Sequence, residues 1–263
     1  MLAGGAALMP GASLFARSSN STTTSCAITA AVVGGVFILV GALIAFIFYL
    51  DRKRSEKIQT IAAGLGFTFR RKPTDADKTL IAGCSLANAG HSRVMSNILE
   101  AAQTNELQIT LFDYAYTVGY GKSSQHYQQT VTRMRTPVLN LPAFALYPET
   151  IFWKLGKLFG GADINFPDAP EFSKKFILRG PDEAAIRALF TPTVRQFFEQ
   201  QPALTIDAAG NLLFAHRSGR RAKPEELESY VADAKRVLAL FFEAQSSVPP
   251  TAPPPLPPPL PPS

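Results

Sequence analysis

The sequence predicts an α+β domain, an antiparallel sheet with packed helices, preceded by one transmembrane helix. Three observations predict it. Ala27 to Leu50 are 24 consecutive residues without a charge. Segments rich in Thr, Val, Ile and Tyr come in neighbouring pairs around glycine-containing turns. Helix-period segments follow such pairs, which argues against a doubly wound parallel sheet.

Residues 1–26 are rich in Gly, Ala, Ser and Thr and read as a disordered segment outside the membrane. Residues 27–50 read as the anchor, since at about 1.5 Å per residue a helix of this length reaches roughly 36 Å and a hydrocarbon core is about 30 Å thick. A cleaved signal peptide fits worse: its apolar region is shorter, and Phe46-Ile47-Phe48-Tyr49-Leu50-Asp51 offers no small-residue cleavage site. Arg52, Lys53, Arg54 and Lys57 follow the span, whereas only Arg17 precedes it. The positive-inside rule then gives an N-out, single-pass topology with a cytoplasmic domain, and the basic residues suit an anionic inner leaflet. Ala30, Gly34, Gly41 and Ala45 stack on one helical face, a candidate homodimer contact, although Gly and Ala are common in membrane helices anyway. Cys26 and Cys84 fall on opposite sides of the membrane and cannot pair within one chain. Two free thiols are expected, with intermolecular pairing of Cys26 the alternative.

Residues 51–246 read as one domain. Lys53 to Leu65 continue the membrane helix, with Ile58, Ile61, Ala62 and Leu65 on one face and Gly64 and Gly66 at its stop. Leu107 to Val118 and Tyr127 to Arg135 flank Gly119-Tyr120-Gly121-Lys122-Ser123-Ser124 as a hairpin. A short helix is expected after Pro148-Glu149, stopped by Gly160-Gly161. A strand at Phe176 to Leu178 precedes a helix opened by Gly180-Pro181-Asp182-Glu183, and Thr191-Pro192 starts another. Leu204 to Asp207 and Asn211 to Arg217 form a second hairpin around Ala208-Ala209-Gly210. The last helix runs from Pro224 to about Phe242, with Leu227, Tyr230, Val231, Ala234, Val237, Leu238 and Phe241 on one face.

The candidate sites are few. Beyond residue 50 the charge is 25 basic against 20 acidic residues, scattered and without an aromatic-interleaved basic stripe, so no nucleic-acid partner is expected. Gly119-Tyr120-Gly121-Lys122-Ser123 ends like a phosphate-binding loop, but the first glycine of that template falls on Tyr116 and a strand follows. Asp113 interrupts an apolar and aromatic strand, and His126 stands on the partner strand. They are the only candidates for a catalytic pair, with structural pairing of Asp113 to a nearby Arg, or a hydrogen bond to a tyrosine hydroxyl, the stronger expectation. Cys84 with His91 is a single pair without the second half that a zinc site needs, and Asp163, Asp168 and Glu171 lack the spacing of a calcium loop. No metal and no cofactor is assigned.

From Val248 onward 10 of 16 residues are proline, so residues 247–263 read as a disordered tail with polyproline II character. Leu256 and Leu260 are its large apolar side chains, the contact points if a protein partner binds it. Truncation after Ser247 is expected to leave the melting temperature unchanged, because ten prolines supply no hydrogen-bonded element. A fall of several degrees in a thermal melt would show that the tail packs on the domain.

Phe112-Asp113-Tyr114, Gln128-Gln129-Thr130-Val131, Leu141-Pro142-Ala143-Phe144 with Pro148-Glu149, Asp163-Ile164, and Phe172-Ser173 followed by Leu178-Arg179-Gly180 resemble an uncharacterised family of bacterial membrane-anchored proteins, known as a domain of unknown function. The resemblance covers roughly residues 56–243. It implies the bacterial inner membrane and supplies no activity. The expected function is a non-enzymatic, membrane-tethered binding or scaffold domain, the alternatives being a hydrolase or transferase at the membrane and a domain that binds anionic lipid.

Overall fold

The computed structural model of the chain describes the backbone of residues 19–101, 106–150 and 162–247, with side chains from residue 32 onward. It divides into two compact units, Met1–Arg54 and Ser55–Ser263. Helix α1 spans Ser19–Gly64, and among the described residues only its part from Val32 on is long and apolar enough to cross a membrane, with a mean hydropathy of 2.6. Phe37, Ile38, Leu39 and Phe48 are 69–73 % exposed, an apolar surface of the kind a membrane-crossing helix presents. Lys53 Nζ lies 5.2 Å from the centre of the Tyr49 ring, pairing an aromatic and a cation where an interface would need both.

Within the second unit, the end of α1 turns Ile58 and Ala62 into the core. Gly66 stops it with a φ of 76°, a left-handed cap that favours glycine. Among the described residues eight strands follow: β1 (Phe67–Arg70), β2 (His91–Ala101), β3 (Gln108–Val118), β4 (Gln125–Arg135), β5 (Leu141–Pro148), β6 (Phe176–Arg179), β7 (Leu204–Gly210) and β8 (Leu212–Arg217). They form one antiparallel sheet in the order β1-β2-β3-β4-β8-β7-β5-β6. The first predicted hairpin pairs from Gln108↔Arg135 to Val118↔Gln125. The second is tighter than expected: Ala208 and Ala209 belong to β7, and Gly210-Asn211 alone make the turn, with Gly210 at a φ of 56°.

Three strands were not foreseeable from alternation. In β2 the register shifts twice, and Ser92 and Asn97 adopt positive φ at 52° and 50°, which scrambles the period of two. In β5, Pro142 falls in the register shift between Leu141 and Phe144, and Pro148 ends the strand. Strand β1 has only four residues.

Helices α2 (Pro170–Lys175), α3 (Glu183–Leu189), α4 (Pro192–Glu199) and α5 (Leu227–Ser247) cover one sheet face. The Asp182 carboxylate accepts the Ala185 N–H at 3.0 Å and caps α3, and the Thr191 hydroxyl accepts from Val194 and caps α4. Helix α5 runs past its expected end at Phe242, and the Ser246 hydroxyl donates back to the Phe242 carbonyl. The helix expected after Pro148 lies within 151–161, outside the described residues. Among the described residues seven buried phenylalanines fill the space beneath the helices, with the Phe190 ring 5.1–6.5 Å from those of Phe144, Phe166, Phe172, Phe198 and Phe241.

The opposite face presents Phe112, Tyr114, Tyr116, Val131 and Phe214, and residues 77–89 cover it with Ile81, Cys84, Leu86 and Ala89. The Tyr114 hydroxyl donates to the Leu86 carbonyl at 3.3 Å and pins this cover. At its start the Arg70 guanidinium bridges Glu100 and Asp77, while Asp77 Oδ2 also accepts the Thr74 N–H and hydroxyl at 2.7 and 2.8 Å. Burial opposes the Asp77 charge, but the bonds from Thr74 and Arg70 more than offset it and hold its pKa below the usual carboxylate value. A depressed folded-state pKa contributes stability that is present above the unfolded value of about 4 and lost as pH falls through the folded one. Asp77→Asn should therefore cost about 1–2 kcal/mol at pH 7 and nearly nothing well below pH 4. Chemical denaturation of both proteins at the two pH values measures this, and an equal gap at both would refute it.

Candidate functional site

The structure separates Asp113 from His126. Asp113 pairs with Thr130, and His126 with Thr117 four register positions away, a separation of about 14 Å at about 3.4 Å per residue. His126 is exposed and bonded to Thr117 and Gln128. Asp113 is buried on the helix-covered face, where it accepts from Thr130 Oγ1 at 2.6 Å and Asn97 Nδ2 at 2.9 Å. Asn97 in turn accepts from Ser55 Oγ, and Thr130 accepts the Ala222 N–H, so one buried chain of bonds ties α1 to β2, β3, β4 and the segment after β8. The positive φ of Asn97 in the β2 bulge is what aims its amide at Asp113. These are structural bonds, made to an amide and a hydroxyl where an arginine or a tyrosine hydroxyl was expected.

A different constellation stands on the other face. Four strands place Arg179, Ala145, Asp207 and Phe214 in one row, β6 to β8, because each is the register partner of the next. Ala145 is too small to fill the space between Arg179 and Asp207. The resulting pocket, about 360 Å³, is walled by Gly83, Cys84 and Ser85 of the cover and by Gly180 and Pro181. At its floor the Ser85 hydroxyl donates to Asp207 Oδ2 at 2.9 Å and the Cys84 thiol donates to the same oxygen at 3.3 Å. His216, on β8, reaches Asp207 Oδ2 with Nε2 at 4.0 Å. The ligating atoms of Cys84, Asp207 and His216 all lie within 4.8 Å of one another.

All three residues are buried, and the electrostatics follow from that. Burial raises the Asp207 pKa to about 6, with the Ser85 and Cys84 bonds pulling the other way. Burial lowers that of His216 to about 3, so the ring is neutral at pH 7. Burial and the neighbouring Asp207 charge push the Cys84 thiol well up. A thiol so disfavoured from ionising is the reverse of an activated nucleophile. Among the described residues neither ring nitrogen of His216 has a hydrogen-bond partner, although the residue is only 1 % exposed. An unsatisfied buried polar group costs about 1–3 kcal/mol.

Sequence spacing could not assemble this site. Cys84 partners not His91 but two residues more than 120 positions away, brought together by the β7–β8 hairpin and the cover. His91 instead stacks on Tyr120 at 4.6 Å and bonds the Gly119 carbonyl. Asp163 accepts the Leu178 N–H, and Asp168 makes a bidentate pair with Arg195 at 2.7 Å, so these acids stabilise a loop. Arg52, Lys53 and Lys57 are exposed on α1 and Arg54 is half-buried. A Cβ added at Gly34 or Gly41 would touch nothing within 4 Å. The side chain of Ala30, and Leu256 and Leu260 of the tail, lie outside what is described.

The glycine loop forms a 3-10 turn at Gly121–Ser123 and enters β4, and Tyr116 is buried in β3. Lys122→Ala should leave stability within about 0.5 kcal/mol of the parent, as surface substitutions do. Nucleotide binding that this substitution abolished in an equilibrium titration would contradict it.

Fold and site define an α+β domain with a membrane-length N-terminal helix and a buried Cys-Asp-His cluster beneath a pocket. No family model, curated protein or solved structure matches this chain.

Proposed function

We propose that the chain is a single-pass protein of the bacterial inner membrane, N-out, whose domain acts on the cytoplasmic face as a non-enzymatic binding or scaffold module. Its ligand seat is the pocket over Cys84, Ser85 and Asp207. The pocket itself carries this reading: it is a formed hollow of about 360 Å³ in which Arg179, the Ser85 hydroxyl and the Asp207 carboxyl supply a few polar groups among Ala143, Phe144 and Ala145. With no cation beside it the Cys84 thiol is held protonated, which favours binding over nucleophilic catalysis. The basic residues after the span support the orientation.

Native mass spectrometry of the full chain, released from its own membranes in lipid nanodiscs, tests the seat. The parent should carry a bound species that Ala145→Leu, filling the hollow from the register position opposite Asp207, excludes while the chain remains folded. Bare protein in both cases, or an identical bound species in both, sinks the assignment. Protease cleavage of the domain from outside intact spheroplasts would reverse the topology.

A further inference from the structure

We infer that Cys84 Sγ, Asp207 Oδ2 and His216 Nε2 form a three-ligand site for a borderline-soft divalent cation, Zn²⁺ foremost, with its fourth position open to the pocket. Thiolate, imidazole and carboxylate are together the zinc donor set, and three protein ligands with one open position is an established arrangement for that ion. Bonds of about 2.0 Å to N and O and about 2.3 Å to S set tetrahedral ligand separations of roughly 3.3–3.6 Å. Sulfur to oxygen is 3.3 Å and nitrogen to oxygen 4.0 Å, so shifts of about an ångström would close the site around an ion within bonding reach of all three.

Two further observations converge. His216 is buried, has no partner for either nitrogen among the described residues and faces the Asp207 carboxyl, and a cation gives one of those nitrogens its missing bond. Charge also balances: a thiolate, a carboxylate and a neutral imidazole around a divalent ion sum to zero, whereas two buried anions alone would be costly. Ser85 is placed to hold Asp207 from outside the ligand set, the supporting bond that metal-ligating carboxylates use. The fourth position, facing Ala145 and Arg179, takes water or a donor atom of whatever occupies the pocket, and only this last step rests on the pocket being the ligand seat.

The test uses the full chain in nanodiscs, stripped with chelator and titrated with Co²⁺ and then Zn²⁺. One Co²⁺ per chain should bind with a thiolate charge-transfer band and tetrahedral ligand-field bands, and Zn²⁺ should displace it and raise the melting temperature. Cys84→Ser should abolish the charge-transfer band and weaken Zn²⁺ by more than the roughly 10–100-fold loss typical of a supporting residue. Cys26→Ser should change neither. His216→Leu replaces an unpartnered ring by an apolar side chain, so it should fold as well as the parent while losing the Zn²⁺-dependent rise in melting temperature. Absence of stoichiometric binding in the parent overturns the site, as does binding that survives both Cys84→Ser and His216→Leu. Should the metal fail to bind while Ala145→Leu still expels another species, the metal site falls and the ligand seat stands.

Discussion

Asp113→Ala is expected to destabilise the domain by about 3–5 kcal/mol while leaving the pocket chemistry untouched. The carboxylate accepts from Asn97 and Thr130 in a fully buried setting, and its removal strands two donors whose desolvation costs about 1–3 kcal/mol each. A further loss comes from Asn97, whose positive φ is sustained by the bonds its side chain makes. Domains of this size hold only about 5–15 kcal/mol in total, so the change consumes a large share. Denaturant titration of the parent and variant measures it. A loss under 1 kcal/mol would mean that water enters and satisfies the stranded groups. Ser55→Ala, at the far end of the same chain of bonds, should cost about 1 kcal/mol.

Phe190→Ala should cost about 3–5 kcal/mol through a different mechanism. Among the described residues its ring packs against five others, contributed by β5, α2, α4, α5 and the segment before α2. Each neighbour is held by its own backbone element, so the site cannot collapse around the missing ring and a cavity remains. Phe190→Leu, which retains much of the volume, should recover more than half of the loss. Equal destabilisation by both variants would show that ring geometry, not filled space, is what Phe190 supplies.

Local chemistry explains what could be read from the residues alone. The membrane-length helix, the two hairpins, the Asp182 and Thr191 caps and the long last helix each announce themselves within a short window of period and punctuation. Strand β2 was hidden because its bulges interrupt the alternation that marks a strand, and β5 because its prolines mimic a loop. The Cys84-Asp207-His216 cluster was invisible for a deeper reason. Its members have no periodic or spaced signature, and only the strand order, which brings β7 beside both β8 and β5, sets them together. Asp113 could be recognised as anomalous from its apolar neighbours, but its partners Asn97 and Ser55 depend on a bulge and on where α1 ends.

The outer strands of the sheet bear on how such a domain survives crowding. Chains tethered to one surface meet each other at far higher effective concentration than free ones, and an unpaired strand is a template for a neighbour's backbone. Here both outermost strands, β1 and β6, have only four residues. Where β2 extends beyond β1, the kinks at Ser92 and Asn97 break the flat run of donors and acceptors, and the Asn97 N–H is taken by the Arg71 carbonyl. Beyond β6, Asp163 and Ile164 occupy the Leu178 backbone groups. Among the described residues the sheet is blunted at both margins, so neither edge offers a second copy of the chain a long flat strand to pair with.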